Sequence, residues 1–368
     1  MKRLIAISNH GQMVGGGEQS FLDLVSHLPP ALWEVLAAVP QEGELAKHLR
    51  NRDISVQVLA LPSLRPRHGL LILKALKDYV HTCRDIRPHL IYANGSRAAL
   101  YGGIIGRVLK IPVIWHCRIA DPDIYLDPIL CRLSTKIIAN SQATARRFKP
   151  LFQHKVRTVY NGIDTGWLRD GAVKKPDLIQ SDWKVILVVA RVSKSKRHDL
   201  ALSAFEKVAP SDPELHLVCV GAEDQLEPEW YNYLMNSTKQ SQFSDRIHWV
   251  GQVADIRPWY KSASVLLFPA EKEAFGRVLV EAMACGVPVV ATRSGGVSEI
   301  VTDNQDGFLV KPGDINEIAA TMSALLNDSL LRNQLIKSAI QRGEAFTVEL
   351  HAKEMHEIFE HTVKDRHN

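Results

Sequence analysis

The chain has 368 residues, which is long for one compact domain and indicates two domains of roughly 170–190 residues each. Hydrophobic residues make up 46% and charged residues 23%, as in soluble globular proteins. No window approaches the roughly 18 uncharged apolar residues that a membrane-spanning helix needs. Five scattered cysteines, never spaced as CxxC, argue against a disulfide framework or a zinc knuckle and indicate a cytoplasmic protein.

The net charge of +5 hides an asymmetry between the two halves. Residues 1–175 contain 25 Lys and Arg against 13 Asp and Glu, whereas residues 176–368 contain 20 against 27. A basic half joined to an acidic half suggests that the first half faces an anionic partner, such as a phosphorylated substrate or a membrane surface. An unevenly charged solvated surface would give the same count, so charge alone leaves both interpretations open.

In chain order, short apolar runs alternate with helical periodicity. Strands are predicted in the first half at residues 3–8, 35–39, 56–61, 90–94, 112–116 and 136–140, with helices at 18–28, 68–86 and 97–109. In the second half strands are predicted at 184–190, 215–221, 247–251, 265–269 and 288–292, and the tail is helical at 315–326, 329–343 and 348–363. Nearly continuous β-branched runs are typical of parallel strands buried on both faces. The alternation predicts an α/β protein with two doubly wound, Rossmann-like domains.

The boundary between the predicted domains falls where apolar periodicity stops. Residues 165–182 are rich in Gly, Asp, Lys and Pro, as linkers are. We therefore predict an N-terminal domain over residues 1–168, a linker over 169–182 and a C-terminal domain over 183–346. Ligands of open parallel sheets bind beyond the carboxyl ends of the strands, so the functional residues should follow the strands.

Three glycines, Gly15 to Gly17, follow the first strand and precede a helix expected to begin near Glu18. Such a turn lets the backbone approach a ligand closely, and the helix N-terminus favours an anion. The dinucleotide fingerprint GxGxxG is not met, because Ser20 stands where the third glycine would be, and no P-loop GKS or GKT is present. A purely structural loop could carry the same glycines.

Two cations, Arg191 and Lys196, flank the turn in ARVSKSK after the first strand of the second half. An arginine that chelates and a lysine that acts as a point charge would suit a diphosphate. A solvated basic turn is the alternative.

Two glutamates, Glu273 and Glu281, stand eight residues apart in EKEAFGRVLVEAMACG. Gly276 would interrupt a continuous helix, so we predict a helix that begins at Arg277 and ends at Gly286. Glu273 then lies in a loop and Glu281 in the second helical turn, about 10 Å apart. That separation is too long for direct acid–base exchange, but it suits the two ends of a nucleotide sugar whose phosphates face the helix N-terminus.

The segment EAFGRVLVEAMACGVPVVATRSGGVSEIV resembles the E-x7-E segment of glycosyltransferase family 4, the retaining nucleotide-sugar enzymes of GT-B fold. Further matching stretches occur in family order over nearly the whole chain: GGGEQSFLDLVSHL, PVIWHCR, IIANSQATARRF, VYNGID, ARVSKSK and DGFLVKPGD. The resemblance implies two Rossmann-like domains that face one another across a cleft, with a C-terminal helix over residues 347–368 that crosses back to the N-terminal domain.

The resemblance implies a hexosyltransferase that uses a nucleotide-diphosphate sugar, with UDP-sugar favoured over GDP-sugar. It would need no metal or other cofactor. Glu273 would bind hydroxyls of the sugar and Glu281 those of the ribose, while Arg191 and Lys196 neutralise the leaving phosphate. The implied donor-binding set is Gly16, Gly17, Arg191, Lys196, Glu273, Ala274, Phe275, Gly276, Arg277, Val278, Leu279 and Glu281; Glu273, Arg191, Lys196 and His116 form the catalytic set.

On the acceptor side the resemblance implies Glu18, Asn94 and Arg118, although many relatives carry an acidic residue where Arg118 stands. His116 ends a predicted strand that faces the cleft and would lie beside the transferring sugar, with a packing role as its alternative. The implied acceptor is a carbohydrate or a lipid-linked glycan of cell-surface polysaccharide synthesis, such as lipopolysaccharide. Nucleic acid is not an expected partner.

The basic first half and the segment LRPRHGLLILKALKDYV could rest on an anionic membrane, where lipid-linked acceptors reside. The protein would then be cytoplasmic and peripheral on the inner face of the cytoplasmic membrane. For the helix itself we favour the simpler interpretation that Leu70, Leu73, Leu76 and Val80 face the core.

Three further features receive structural interpretations. The triplet at residues 121–123 imitates a metal-binding DxD but is interpreted as a loop, and Cys117 as a small buried hydrophobe. The histidines show no zinc-ligand spacing. Two alternatives to a transferase stay open at this point: a sugar-nucleotide epimerase of the same fold and a non-catalytic subunit that binds a nucleotide sugar.

Overall fold

The structure, a computed structural model, describes residues 1–63, 65 and 68–365. The chain forms two compact units: Met1–Ile163 together with Thr347–Asn368, and Asp164–Phe346. The division falls earlier than the end predicted at residue 168, because helix Thr165–Arg169 packs within the second unit. There Arg169 forms an ion pair with Glu344.

The sheet of the first unit has seven parallel strands in the order β3-β2-β1-β4-β5-β6-β7. Alternate side chains of its central strand enter different cores: Ile5 and Ile7 pack on one face, and Leu4 and Ala6 on the other. The strands are β1 (Lys2–Ser8), β2 (Trp33–Val39), β3 (Ser55–Val58), β4 (Leu90–Asn94), β5 (Val113–Cys117), β6 (Lys136–Ala139) and β7 (Val156–Thr158).

Helices cover both faces of this sheet, as the apolar cores on its two sides require. They are α1 (Gly16–His27), α2 (Glu44–Arg50), α3 (Gly69–Ile86), α4 (Ser96–Leu109), α5 (Leu126–Leu133) and α6 (Gln142–Ala145). Helix α1 begins two residues before the predicted Glu18, so Gly16 and Gly17 belong to its first turn.

Helix α3 corrects one expectation about burial. Ile72, Leu76 and Val80 pack against the core, but Leu70 and Leu73 are 85% and 64% exposed. The prediction that these side chains face the core is confirmed for Leu76 and Val80 and is wrong for Leu70 and Leu73. At about 100° per residue, Leu70 lies about 120° from the centre of the stripe formed by Ile72, Leu76 and Val80, so it is turned away from the core. Residues 64, 66 and 67 of the same segment lie outside the described residues.

The sheet of the second unit has six parallel strands in the order β10-β9-β8-β11-β12-β13. It therefore repeats the doubly wound order of the first unit. The strands are β8 (Lys184–Val189), β9 (Leu215–Val220), β10 (Ile247–Gly251), β11 (Val265–Phe268), β12 (Val289–Thr292) and β13 (Phe308–Val310). The helices are α7 (Thr165–Arg169), α8 (His198–Val208), α9 (Pro228–Gln240), α10 (Arg257–Lys261), α11 (Arg277–Ala284), α12 (Val297–Ile300), α13 (Ile315–Asn327) and α14 (Ser329–Gly343).

The last helix, α15 (Val348–Lys364), returns to the first unit as predicted. The Thr347 side chain caps its N-terminus by accepting a hydrogen bond from the Leu350 amide. Phe359 packs against the rings of Trp33 and Tyr92, with centroids 5.8 and 5.6 Å away. The two predicted Rossmann-like domains and the crossing helix are thus confirmed. Within the described part of the chain, no helix combines the length and apolarity needed to cross a membrane.

Candidate active site

The site residues predicted in the second unit follow the carboxyl ends of its strands. Arg191 comes after β8 and Glu273 after β11, while Gly295 and Gly296 follow β12. Since β8, β11 and β12 are neighbours in the parallel sheet, these loops lie side by side at one edge. This edge is where open α/β sheets bind their ligands.

Close backbone packing fixes the loop that carries Glu273. The backbone carbonyl of Glu273 accepts a hydrogen bond of 2.8 Å from the Gly296 amide. A Cβ atom added at Gly295 would lie 2.0 Å from the Glu273 carbonyl oxygen, and one at Gly296 would lie 2.3 Å from the Ala274 carbonyl oxygen. Only glycine fits at either position. No role was predicted for this Gly-Gly pair, although glycines directly after a strand were a usable signal.

Both predicted phosphate-binding cations have carboxylate partners in the structure. Lys196 Nζ pairs with Glu273 Oε2, and Arg191 Nε lies 3.2 Å from Asp224 Oδ2. Two residues predicted separately, Lys196 and Glu273, are therefore joined directly. Asp224 was not predicted, because nothing local in the sequence links it to Arg191. A diphosphate bound here would compete with two internal carboxylates for the same cations.

Helix α11 begins at Arg277 as predicted, because Gly276 takes a φ of +95° that ordinary residues rarely adopt. Glu281 lies in its second turn and accepts a hydrogen bond of 2.9 Å from Tyr260 Oη. Burial, reinforced by the Glu281 charge, holds the pKa of Tyr260 well above its usual value, so the phenol stays a donor. No local motif pointed to Tyr260.

At least one of the backbone amides predicted to bind phosphate is already hydrogen-bonded within the protein. The Leu279 amide donates to the Gly276 carbonyl at 3.0 Å and is therefore already engaged. Phe275 is buried, and its ring packs 5.8 Å from that of Phe346. The Arg277 Nε lies 3.5 Å from Glu281 Oε1, which turns the side chain along its own helix. The Val278 carbonyl lies 3.5 Å from Tyr260 Oη.

A buried histidine adjoins the lysine of this site. His198 opens α8 with no exposed surface, and neither ring nitrogen has a hydrogen-bond partner in the described part of the chain. Burial, together with the nearby charge of Lys196, lowers the pKa of His198 to about 4, while Asp199 acts in the opposite direction. The imidazole is therefore neutral at physiological pH.

In the first unit, Asn94, Arg118 and Gly17 come together at the carboxyl edge. Arg118 Nε donates to Asn94 Oδ1 at 2.5 Å, and its Nη1 donates to Asn161 Oδ1 at 2.5 Å. The Asn94 amide in turn donates to the Gly17 carbonyl at 3.2 Å. Among residues 1–63, 65 and 68–365, no carboxylate lies within ion-pair distance of Arg118. Its positive charge is thus met there by neutral groups.

His116 is enclosed rather than open, contrary to the expectation of a strand-end residue that faces a cleft. It is the fourth residue of β5, it has no exposed surface, and its Nδ1 lies 2.8 Å from Tyr92 Oη. Burial, with the charges of Arg118 and His351, holds its pKa well below the usual value. Its Nε2 has no hydrogen-bond partner in the part of the chain the structure describes.

Other predicted features of this unit are buried or form a turn. Glu18 is buried in the first turn of α1. Burial raises the pKa of the Cys117 thiol to about 11, which leaves it unreactive. Asp123 accepts the amide hydrogens of Tyr125 and Leu126 and so caps the turn before α5. No group of three or more possible metal-binding side chains occurs among the described residues.

Two parallel-sheet units of this doubly wound order form the architecture of the GT-B fold. Residues 14–167 match the model of Glycosyltransferase Family 4, and residues 172–342 match that of Glycosyl transferases group 1. The chain belongs to glycosyltransferase family 4. The family recognised from the seven motifs is thereby confirmed.

Solved structures support the fold. The Anabaena protein HepE, crystallised with UDP and glucose, superposes with a TM-score of 0.85 at 23% identity and covers 98% of this chain and 100% of its own. Sucrose-phosphate synthase from Thermosynechococcus elongatus superposes with a TM-score of 0.75 at 22% identity, covering 98% and 99%. At these identities the likeness concerns the fold alone.

Curated relatives match over part of their length. N-acetyl-alpha-D-glucosaminyl L-malate synthase of Bacillus anthracis is 32% identical over 49% of this chain and 46% of its own. D-inositol 3-phosphate glycosyltransferase of Kribbella flavida is 27% identical over 65% of this chain and 61% of its own. The chain thus spans about half to three fifths of these relatives.

Proposed function

We propose that the protein transfers a hexosyl group from a nucleoside diphosphate sugar to an acceptor hydroxyl, with retention of anomeric configuration and without a metal. The observation that carries the proposal is the cluster at the carboxyl edge of the second unit. There Glu273, Lys196 and Arg191 lie on neighbouring loops beside the N-terminus of α11, which carries Glu281. A UDP-sugar is the favoured donor, and crystals of HepE with UDP and glucose support that choice.

The chemistry follows from the charge that develops as the diphosphate departs. The bond between C1 of the sugar and the β-phosphate oxygen breaks, while the acceptor oxygen bonds to C1 on the same face. The leaving phosphate takes the acceptor proton. Lys196, Arg191 and the α11 N-terminus stabilise the growing negative charge more strongly in the transition state than in the ground state.

Within this scheme the carboxylates hold the donor rather than exchange protons. Glu281, fixed by the Tyr260 hydroxyl, binds the ribose hydroxyls. Glu273 binds hydroxyls of the sugar once phosphate has taken over its lysine partner. His116, Asn94 and Arg118 act from the first unit, where the neutral His116 ring positions Arg118 at 3.4 Å.

The acceptor is a carbohydrate or a lipid-linked glycan, used at the inner face of the cytoplasmic membrane. Two observations favour an anionic acceptor. Within the described ranges the partners of Arg118 are neutral, and the names of two relatives include L-malate and inositol 3-phosphate.

A thermal-shift screen of UDP-, GDP- and ADP-sugars tests the donor assignment. A ligand present at 100 times its Kd should stabilise the folded protein by about 2.7 kcal/mol, and we expect the UDP-sugars to give the largest rise in Tm. Incubation of the preferred donor with acceptor candidates then distinguishes transfer from epimerisation. The proposal fails if no nucleotide sugar raises the Tm of the wild-type protein.

A further inference from the structure

Three leucines on the first turns of α3 point into solvent. The way α3 is rotated over its sheet leaves Leu70, Leu71 and Leu73 85%, 55% and 64% exposed. Soluble proteins do expose single leucines, but three within four consecutive positions, spread over about 160° of the helix surface, mark an interaction surface. We call Leu70, Leu71 and Leu73 the leucine face.

Positive charge accompanies the leucine face. Lys74 and Lys77 follow it on the same helix and are exposed, and Arg65 is exposed just before the helix. No carboxylate in the described ranges pairs with Lys74 or Lys77, although Asp78 lies on the next turn. Apolar side chains flanked by unpaired lysines are the combination that binds an anionic lipid surface.

A cavity of about 710 Å³ adjoins the leucine face and lies wholly within the first unit. Its lining includes Leu71, Lys74 and Asp78 of α3, as well as Asn9 and Arg97. Arg97 donates to the Asn9 carbonyl at 2.7 Å, but its buried Nε has no partner among the described residues, and no carboxylate pairs with it there. The cavity therefore offers a cation to an anionic group that enters beside the leucines.

A second apolar group lies at the same edge of the sheet. Ile119, Ile124 and Tyr125, in the loop after β5, are all exposed. Since β3 and β5 are parallel strands of one sheet, the loop after β5 and the start of α3 both lie at its carboxyl edge. This edge thus carries apolar side chains at two places.

We propose that the leucine face and its lysines dock on an anionic lipid bilayer, so that the adjoining cavity opens at the membrane and takes the anionic head of an acceptor carried in the bilayer. The naming of an acceptor rests on the proposed function, but the docking does not. The positive charges of Lys74 and Lys77 complement anionic lipid. So does the composition of positions 1–175, which hold 25 basic against 13 acidic residues.

Partition to vesicles tests the docking. Full-length protein is mixed with vesicles of equal parts phosphatidylglycerol and phosphatidylethanolamine at low salt, and the bound fraction is measured by flotation. The variant L70S/L71S/L73S should bind at least roughly 30-fold more weakly, because each leucine contributes apolar area to the bilayer contact. The variant K74Q/K77Q should lose roughly fivefold per lysine and show less dependence on salt.

Matched variants in the second unit provide the control. Leu226 and Leu330 are 88% and 75% exposed there, so L226S/L330S removes exposed leucines elsewhere. K239Q/K337Q removes two exposed lysines in the same way. Both controls should bind vesicles as the wild type does, and circular dichroism should show that all variants are folded.

Three results would overturn the proposal. The first is that the wild type does not bind the anionic vesicles. The second is that L70S/L71S/L73S binds them as the wild type does. The third is that the wild type is a dimer and this variant a monomer, which would show that a second copy covers the leucines. Each is separable from a failure of the proposed function, because the UDP-sugar thermal shift depends on the second unit and is measured on the same samples without lipid.

Discussion

Each unit places a cation at the carboxyl edge of its sheet beside a buried, neutral histidine, but the two cations are balanced differently. In the second unit Lys196 adjoins His198 and pairs with the Glu273 carboxylate. In the first unit Arg118 lies 3.4 Å from His116 Nδ1 and is held by the amide oxygens of Asn94 and Asn161.

In the second unit the Glu273 carboxylate competes with an incoming anion for Lys196. Among the described residues, no carboxylate competes in this way for Arg118. Under the proposed function, a phosphate that approaches Lys196 would displace Glu273, which could then accept hydrogen bonds from a sugar. Donor binding and the release of Glu273 would thereby be coupled. An anion that approaches Arg118 displaces no carboxylate, so its binding is opposed only by the desolvation of the ligand and of the guanidinium. Because both histidines are neutral, neither adds a positive charge beside its neighbouring cation.

The largest expected effect comes from breaking the Lys196–Glu273 pair one partner at a time. Lys196→Ala should lower kcat by roughly 10²–10³ and also weaken UDP binding, because the cation that stabilises the leaving phosphate is gone. Glu273→Ala should lower kcat by a similar factor, yet bind UDP at least as tightly as the wild type, because Lys196 has lost its competitor. Steady-state kinetics and titration calorimetry with UDP measure the two effects.

The matched control for this pair is Arg293→Gln, which breaks the more exposed ion pair with Asp303 in the same unit. It should leave kcat and UDP affinity near the wild-type values. If Lys196→Ala and Glu273→Ala weaken UDP binding equally, the pair supports the loop instead of competing with phosphate, and the distinction between the two units disappears.

The second prediction concerns acid stability. His198 is neutral in the fold with a pKa of about 4 against 6.5 for the free side chain, so the unfolded chain binds the extra proton first. The stability that depends on neutral His198 is fully present above pH 6.5. As the pH falls toward 4, the free energy of unfolding decreases by up to about 3 kcal/mol. His198→Leu should remove that part of the acid sensitivity, which urea unfolding at pH 7 and pH 4.5 would show.

An exposed histidine supplies the comparison for this measurement. His154→Leu, in the first unit, should leave the difference in unfolding free energy between pH 7 and pH 4.5 as in the wild type. An unchanged acid sensitivity in His198→Leu would mean that water or a rearranged side chain already solvates His198, and that the second unit can accept a further charge next to Lys196.

The sequence could place the elements that local chemistry determines. Gly276 ends the loop and starts α11 at Arg277, and the apolar run of β10 was predicted with its observed bounds. The strands β7 and β13 were missed because three residues carry too little periodicity. Residue roles near the motifs followed from the family resemblance.

Contacts between distant residues could not be predicted in this way. Arg191 and Asp224 are 33 positions apart, and Tyr260 and Glu281 are 21 apart, and neither pair leaves a local pattern. The exposure of Leu70 and Leu73 depends on how α3 is rotated over its sheet, which a helical pattern with leucines on several sides leaves undetermined. Tertiary packing determines these long-range contacts and side-chain exposures, and they are the features that distinguish the two units.

The smallest expected effect comes from Arg118. Because its recorded partners are neutral, Arg118→Met strands no carboxylate, and we expect a loss of about 2 kcal/mol in unfolding free energy from the broken hydrogen bonds. Arg118→Lys should recover little of it, since one ammonium group cannot reach Asn94 and Asn161 in the geometry of the guanidinium fork. A loss of 3–5 kcal/mol, typical of a buried charge left alone, would contradict the neutral environment. Urea unfolding of the three proteins at pH 7 decides whether the first unit truly lacks an internal counter-charge.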